Sequence, residues 1–314
     1  MVKRLLLASP RGYCAGVERA VETVERALAL YGSPVYVRKQ IVHNSHVVED
    51  LRSRGAVFVD ALADVPEGAT VVFSAHGIAP AVRREANELR LTTIDATCPL
   101  VTKVHAQARR YAEAGYALVL IGHAGHEEVE GTLGEAPDAI VLVQSAEDAE
   151  HVSLPADQPL AYLTQTTLSV DETGEIVAVL RRRFPHIEGP AREDICYATS
   201  NRQWAVKELL PEIDLLLVIG SPSSSNSLRL VDVARADGTP AHLVDDVRGI
   251  DESWLAGCAT VGLTSGASAP ERLVGAVCDW FAARGAEVCE QAAVHEDVSF
   301  KLPVELRRAE RAAA

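Results

Sequence analysis

Three cysteines in this sequence have the surroundings expected of metal ligands or reactive thiols. Each lies in a polar, turn-forming stretch: Cys14 in SPRGYCAGV, Cys98 in IDATCPLVTK and Cys196 in REDICYATSN. Each stretch follows a strand-like or mixed run and precedes a segment with helical periodicity, so it lies where open α/β sheets bind their ligands. Their wide separation excludes a local zinc finger. Three thiolates on one metal cluster would leave one metal position open for chemistry.

The other three cysteines have different surroundings. Cys258 enters a strand-like run, Cys278 lies in an apolar helical stripe, and Cys289 lies in a late strand. Buried thiols are common as small hydrophobic groups. We therefore interpret these three as core residues.

Five further turns at strand ends carry histidine, serine or asparagine. They are IVHNSHVVEDL, VVFSAHGIAP, VLIGHAGHEEVEGT, VIGSPSSSNSLRL and GLTSGASAPERL. A helix that begins at such a turn offers backbone N–H groups without partners and the positive end of its dipole. Polar side chains there predict an anion site of the phosphate-binding kind. Serine and asparagine are also ordinary helix caps, but capping alone is a poor explanation for five such turns.

The strand-like runs predict that His43, His76 and His126 each lie at the end of a strand, so we expect their side chains to project toward a ligand. His105 lies inside a helical pattern and is interpreted as structural or surface-exposed. A zinc site is disfavoured, because no cysteine and histidine show ligand spacing. Glu128 follows His126 closely, and a carboxylate beside an anion would be unfavourable unless it moved protons. The alternative role for Glu128, a first-turn residue favourable to the helix dipole, stays open.

Strand-like runs alternate with amphipathic helical segments along the whole chain, which predicts parallel sheets built from βαβ units. The predicted strands are 4–9, 34–42, 56–60, 69–76, 92–97, 117–123, 139–144, 160–166, 214–221, 241–246 and 259–266. The three cysteine turns open successive stretches of roughly a hundred residues, each the size of a small domain. We therefore expect three similar α/β domains, at 1–97, 98–195 and 196–285, around a shared centre. The tail 286–314 is expected to pack back on the first domain.

Composition narrows the functional class. The chain has 314 residues, 48% hydrophobic and 24% charged, which is typical of a globular protein with two or three domains. A formal charge of −14 argues against nucleic acid as a partner. No stretch resembles a signal peptide or a membrane span, so we expect a cytoplasmic protein that does not bind membranes. In that compartment the six cysteines are thiols or metal ligands.

The motifs, in this order, resemble those of the 4-hydroxy-3-methylbut-2-enyl diphosphate reductase family, also called the IspH or LytB family. The resemblance covers essentially the whole chain and runs through RGYCAGVERAV, IVHN, FSAHG, DATCPLVTKVH, IGHAGHEEVEGT, TQTTLSVDET, ICYATSNRQ, SSNS and TSGASAPE. It implies an α/β fold in which three domains with small parallel sheets form a trefoil around a central iron–sulfur site. It also implies a 4Fe-4S cluster, one per chain, whose fourth iron binds the hydroxyl group of the substrate.

The resemblance assigns roles to individual residues. It implies cluster ligation by Cys14, Cys98 and Cys196, proton transfer by Glu128, and a place for Thr166 beside the allylic hydroxyl. The residues implied to bind the diphosphate are His43, His76, His126, Ser224, Ser225, Asn226 and Ser268. One departure is visible: Pro222 and Ser223 precede the Ser-Ser-Asn run, where the family commonly has asparagine. Proline fixes the entry to the following helix and removes a backbone donor.

The implied activity is oxidoreductive. The hydroxylated allylic diphosphate loses water and becomes isopentenyl diphosphate and dimethylallyl diphosphate, in the last step of the non-mevalonate isoprenoid pathway. Reduced ferredoxin or flavodoxin is the implied electron donor, and such acidic carriers would need a local basic patch on this acidic chain. Two other classes stay open: an iron–sulfur redox sensor without turnover, and a metal-free α/β module that binds a phosphorylated ligand.

Overall fold

The computed structural model describes residues 2–313, which form an α/β protein. The strands are β1 (Arg4–Ser9), β2 (Val35–Arg38), β3 (Ala56–Val59), β4 (Thr70–Phe73), β5 (Thr92–Asp95), β6 (Ala117–Ile121), β7 (Ile140–Val143), β8 (Leu160–Thr164), β9 (Leu215–Ile219), β10 (Ala241–Val244), β11 (Thr260–Ser265) and β12 (Glu287–Ala292). The α-helices are α1 (Ala15–Tyr31), α2 (Ser45–Ser53), α3 (Pro80–Glu88), α4 (Pro99–Glu113), α5 (Glu127–Leu133), α6 (Ala146–His151), α7 (Val170–Arg183), α8 (Tyr197–Leu209), α9 (Ser225–Ala236), α10 (Glu271–Ala282) and α11 (Val304–Ala313). Short 3-10 helices cover Leu62–Asp64, Leu210–Glu212, Val247–Gly249 and Glu252–Leu255. None of the helices described is both long enough and apolar enough to cross a bilayer.

The chain forms two compact units, each assembled from separate stretches of sequence. Unit 1 contains the described residues up to Val17, His43–Val47 and Tyr197–Ser299. Unit 2 contains Glu18–Val42, Val48–Cys196 and the described residues from Phe300 onward.

Unit 1 is built on a parallel five-stranded sheet with strand order β10-β9-β11-β1-β12. All five residues of the run Leu215–Ile219 are buried, as expected of a central strand covered on both faces. Leu217 packs on one face with Phe281 of α10, and Leu216 packs on the other face with α8 and α9. This alternation follows from the two-residue period of a strand.

Unit 2 contains two smaller parallel sheets. One has the strand order β3-β2-β4-β5, and the other has the order β7-β6-β8. The central strand of the smaller sheet, Ala117–Ile121, is buried along its whole length. The α/β class with parallel sheets, predicted from the alternation of strands and helices, is thus confirmed, and so are the three small sheets that the resemblance implies.

Several predicted strands end earlier than their apolar pattern indicates. The run 34–42 forms a strand only to Arg38, because Lys39 takes a φ of 59°, outside the extended region. His43 therefore lies in an irregular segment before α2, not at the end of a strand. The run 69–76 ends as a strand at Phe73, which places His76 in the turn that follows.

The predicted domain boundaries at 97 and 195 stay a prediction. The first strand, β1, belongs to the sheet of unit 1, where it pairs with β11 and β12. Strand β12 comes from the tail that was expected to pack on the first domain. Helix α11, from the same tail, carries the fully buried Leu306 and belongs to unit 2.

Truncation of a side chain in the core of unit 1 should lower the free energy of unfolding. Replacing the fully buried Leu217 by alanine should lower the free energy of unfolding by about 2–5 kcal/mol, because it leaves a cavity in a packed layer. Leu228→Ala, at a leucine that is 36% exposed, is the matched control and should cost less than about 1 kcal/mol. Urea unfolding of both variants measures the difference, and equal losses would contradict the assigned core.

Candidate active site

Cys14, Cys98 and Cys196 share one local position: each directly precedes an α-helix. Cys14 precedes α1, Cys98 is the residue before the first turn of α4, and Cys196 precedes α8. Pro99 follows Cys98 at the first helical position, where a missing N–H costs nothing. The positive end of a helix dipole stabilises a thiolate, the form of cysteine that binds metal. Each of these thiols therefore has a local setting suited to metal ligation.

The surroundings of Cys14 favour a ligand role most clearly. Burial raises the pKa of the Cys14 thiol, whereas the charge of Arg202 and the N–H groups of Val17 and Gly16, which bond the sulfur, lower it. Hydrogen bonds to ligand sulfur are among the features by which proteins tune iron–sulfur clusters. The backbone N–H of Cys14 donates to the carbonyl of Ala267 at 3.2 Å, which fixes the start of α1.

Arg202 holds the loop that carries Cys14, and sequence reasoning missed it. Its side chain is fully buried and donates to the carbonyl of Gly12 at 2.8 Å and to that of Ala198 at 3.0 Å. It also pairs with Glu296 at 3.1 Å. A buried guanidinium needs such partners, because a buried charge without them is strongly destabilising. The helical pattern of α8 gives no sign of this role, since arginine is common on exposed helix faces.

The other three cysteines lie elsewhere in the fold. Cys278 is inside α10 and Cys289 is inside β12, while Cys258 donates a sulfur hydrogen bond to the carbonyl of Trp254 at 3.5 Å. Cys258 and Cys278 pack against the core of unit 1, and Cys289 packs against the core on the other face of the same sheet. All three are only partly buried, so they line the margin of the core and are not fully buried core residues as predicted.

In unit 1 the predicted phosphate-binding residues form a connected polar cluster. The hydroxyl of Ser268 donates to the backbone carbonyl of His43 at 2.9 Å. Asn226 accepts from the N–H of Ala267 at 2.8 Å and donates to the hydroxyl of Thr199 at 3.3 Å. Since Ala267 also accepts from Cys14, the cluster continues to the predicted cysteine ligand. Unit 1 thus brings together Cys14, His43, Asn226 and Ser268.

Ser224 and Ser225 begin the helix α9 beside this cluster. Ser224 caps the helix, with its hydroxyl accepting from the N–H of Ser227 at 3.3 Å. Pro222 occupies the second position of a turn closed by the N–H of Ser224 and the carbonyl of Ser221 at 2.9 Å. Proline is favoured at that position of a turn. The departure from the family pattern is therefore accommodated locally, and its effect on phosphate binding stays a prediction.

In unit 2, His76 and His126 lie together at the start of α5. Their rings make an edge-to-face contact with centroids 5.8 Å apart. Nδ1 of His76 lies 3.3 Å from the carboxylate of Glu127, which also accepts from the hydroxyl of Ser74 at 3.1 Å. Glu127, to which the sequence analysis assigns no role, therefore orients His76. Its position next to Glu128 is the only sequence signal for that role.

His126 caps α5 through its side chain, since its Nδ1 accepts from the N–H of Glu128 at 3.1 Å. Burial and the neighbouring His76 lower the pKa of His126 to about 4. A neutral imidazole at this position can accept at Nδ1 and still donate from Nε2 to an anion.

Glu128 is buried, with 2% of its surface exposed. One carboxylate oxygen accepts from the N–H of Thr166 at 2.6 Å, and the other accepts from the Thr166 hydroxyl at 3.1 Å. Burial raises the pKa of Glu128, although these hydrogen bonds and the charges of His76 and His105 oppose the rise. A carboxyl group that keeps its proton to higher pH than usual is suited to general acid catalysis.

Backbone hydrogen bonds connect the two predicted cysteine ligands of unit 2 to these residues. The N–H of Cys98 donates to the carbonyl of Ala75, next to His76, at 2.9 Å. The N–H of Cys196 donates to the carbonyl of Thr166 at 3.0 Å. Unit 2 thus brings together six predicted site residues: Cys98, Cys196, His76, His126, Glu128 and Thr166.

The low pKa of His126 predicts a pH dependence of stability. Between about pH 6.5, the ordinary histidine pKa, and about pH 4, where folded His126 titrates, the unfolded chain binds more protons than the folded chain. Stability is therefore lost as the pH falls through this window, with His126 contributing about 1–3 kcal/mol.

His126→Asn keeps a side-chain acceptor for the helix cap but cannot take up a proton in this range. We expect its free energy of unfolding to fall less than that of the wild type between about pH 7 and about pH 4. Urea unfolding across that range measures both, with His151→Asn at an exposed histidine as the control. Identical pH profiles for wild type and His126→Asn would show that His126 does not titrate abnormally.

Comparison with known proteins shows close relatives along the whole chain. The family model described as LytB protein matches residues 5–282. A protein of Acidothermus cellulolyticus named 4-hydroxy-3-methylbut-2-enyl diphosphate reductase is 60% identical over 308 residues, which are 98% of this chain and 91% of the relative. A protein of the same name from Nocardia farcinica is 58% identical over 98% of this chain and 93% of its own length.

A solved structure is also similar. The E-1-hydroxy-2-methyl-but-2-enyl-4-diphosphate reductase of Plasmodium falciparum superposes with a TM-score of 0.97 at 40% identity, over 100% of this chain and 99% of that one. With a family match over most of its length and relatives of this similarity, the chain belongs to the LytB protein family.

Proposed function

We propose that this chain is a 4-hydroxy-3-methylbut-2-enyl diphosphate reductase, an iron–sulfur oxidoreductase of isoprenoid biosynthesis. It converts its allylic diphosphate substrate to isopentenyl diphosphate and dimethylallyl diphosphate in the last step of the non-mevalonate pathway. The observation that carries this function is the 60% identity, over 98% of the chain, to a relative of that name. The predicted site residues, gathered within each unit, support it.

Cys14, Cys98 and Cys196 are the proposed ligands of one 4Fe-4S cluster. Their common position before a helix and the N–H groups aimed at the Cys14 sulfur support thiolate ligation. When bound by three cysteines, such a cluster supplies electrons and an iron with an open position that acts as a Lewis acid on the substrate hydroxyl.

The diphosphate is the proposed ligand of the histidines and of the serine turns. His76 and His126 are oriented by Glu127 and by the cap of α5, so their rings are held before the substrate arrives. His43, Ser224, Ser225, Asn226 and Ser268 are the proposed diphosphate ligands of unit 1. Binding energy at the diphosphate, remote from the reacting carbon, orients the hydroxyl end for reaction.

Glu128 and Thr166 are the proposed proton carriers. In the reaction two electrons are taken up, the allylic C–O bond breaks, one proton forms the new C–H bond, and the second proton joins the departing hydroxyl to give water. Burial raises the pKa of the Glu128 carboxyl, which favours its protonated form, and the Thr166 hydroxyl lies 3.1 Å from one of its oxygens, within reach for proton relay. Reduced ferredoxin or flavodoxin is the proposed source of the electrons. Turnover with a chemical reductant separates this enzyme from a redox sensor, which would not consume the diphosphate.

Replacement of single cysteines tests the cluster ligands. After anaerobic reconstitution, Cys14→Ser, Cys98→Ser and Cys196→Ser should each lose most of the bound iron and sulfide and of the visible thiolate-to-iron absorbance. Cys258→Ser, Cys278→Ser and Cys289→Ser are matched controls and should keep both. A serine variant of any proposed ligand that binds as much iron and sulfide as the wild type would remove that residue from the ligand set.

Glu128→Gln tests proton transfer. Glutamine preserves the shape and an acceptor for Thr166 but supplies no acid, so turnover should fall about 100-fold or more with the cluster content unchanged. Glu130→Gln, at an exposed glutamate of the same helix, is the control. Near-normal turnover of Glu128→Gln would assign Glu128 to the helix-dipole role.

The raised pKa of Glu128 also predicts how turnover of the wild type depends on pH. Turnover should decline as the pH rises past that pKa, because the proton is then lost.

A further inference from the structure

His105 is a buried histidine of α4 that the proposed mechanism does not use. It is 5% exposed, and its Nδ1 lies 2.8 Å from Oε1 of Glu135, just beyond the end of α5. The other oxygen of Glu135 accepts from Arg109, one helical turn after His105, at 2.7 Å. Two side chains of α4 therefore hold one buried carboxylate, which fixes the orientation of the His105 ring.

The opposite edge of the ring lies against two glycines. A Cβ atom at Gly77 would lie 3.0 Å from Cε1 and 3.1 Å from Nε2 of His105. A Cβ atom at Gly131 would lie 3.1 Å and 3.2 Å from the same two ring atoms. Real Cβ atoms rarely come this close, so the imidazole edge occupies the space that a side chain at either position would need. Among the described residues, Nε2 of His105 is buried and has no hydrogen-bond partner.

The two glycines differ in what their backbone requires. Gly77 has a φ of +85°, which by itself favours glycine. Gly131 lies inside α5, where glycine weakens a helix relative to alanine. The contact with His105 is the reason the structure gives for glycine at 131.

These contacts join three elements that carry predicted site residues. His105 lies on the helix that begins after Cys98, Gly77 follows His76, and Gly131 lies one turn after Glu128. The edge of one imidazole ring therefore lies against both the His76 turn and α5. His105 is also among the groups that lower the pKa of Glu128 against the effect of burial.

We propose that His105, held by Glu135, is a positioning residue that fixes the His76 turn against α5 and so sets the spacing of His76, His126 and Glu128. Its part in substrate binding rests on the proposed function. The packing part concerns the fold of unit 2 alone and can be tested without turnover.

The first test is a double-mutant cycle on thermal stability. Gly131→Ala should lower Tm by at least about 2 °C, although alanine is the better helix former. In the His105→Ala background the same substitution should leave Tm unchanged or raise it, because the ring edge is gone. Gly174→Ala is the matched control, since this glycine lies inside α7 with open space around its Cβ position, and it should raise Tm in both backgrounds. Equal losses from Gly131→Ala in both backgrounds would overturn the packing claim.

The second test measures binding, with inorganic diphosphate as the probe. In reconstituted protein, His105→Ala should raise both the Kd for inorganic diphosphate and the KM for the substrate about tenfold or more, because His76 and His126 lose their spacing. A merely structural role would lower the folded fraction, and hence kcat, while leaving Kd and KM unchanged. His105→Asn keeps a donor for Glu135 but lacks the ring edge, so it should match His105→Ala in Kd and remain testable if the alanine variant does not fold.

Kd and KM within twofold of the wild type in both folded variants would overturn the positioning role. Failure of the wild type to reduce the substrate would instead count against the proposed function. In that case the double-mutant cycle on Tm and the Kd for inorganic diphosphate still decide whether His105 sets the spacing of His76, His126 and Glu128.

Discussion

In unit 2, hydrogen bonds of Thr166 connect Glu128 to Cys196. The N–H and the hydroxyl of Thr166 bind the two oxygens of Glu128, and its carbonyl accepts from the N–H of Cys196. One residue thus fixes the proposed proton donor relative to a proposed cluster ligand. A buried carboxylate without such donors would be costly, because burial disfavours its charge. The same contacts that make Glu128 tolerable in the fold therefore place it for chemistry.

In unit 1, backbone carbonyls also hold proposed site residues in place. The turn before α10 offers the carbonyl of Ala267 to Cys14, and the backbone carbonyl of His43 accepts from the hydroxyl of Ser268. Arg202, fully buried and paired with Glu296, holds the loop that precedes Cys14. Each unit therefore brings its own proposed ligands together through hydrogen bonds that involve the backbone. The convergence of all three cysteines on one cluster stays a prediction.

Much of the fold was predictable from the sequence, because apolar runs and polar turns alternate with little interruption. The α/β class, the strand positions and the family followed from those runs and motifs, and they are confirmed. The ends of strands were less accurate, since apolar residues continue into turns: the strand predicted at 34–42 ends at Arg38, where Lys39 takes a positive φ. Periodicity records which residues are buried, but not the backbone angle at which a strand stops.

The residues missed by sequence reasoning are those whose role depends on a distant partner. In the sequence, Arg202 is only a polar residue in a helix, and its role follows from its contacts with Gly12 and Glu296. The role of His105 follows in the same way from its contacts with Gly77 and Gly131. Glu127 lay inside a recognised motif, yet its bond to His76 joins residues far apart in sequence. A single sequence does not contain such pairs as a pattern, because they arise only when helices and turns pack.

In the proposed function, three cysteines hold a cluster and leave one iron open to the substrate hydroxyl. Mössbauer spectroscopy of protein reconstituted anaerobically with ⁵⁷Fe tests it most directly. We expect about one quarter of the cluster iron to give a distinct signal, as for a single iron without a cysteine ligand, and only this signal should change when the allylic diphosphate is added. Four equivalent irons, or a spectrum that the substrate leaves unchanged, would contradict it.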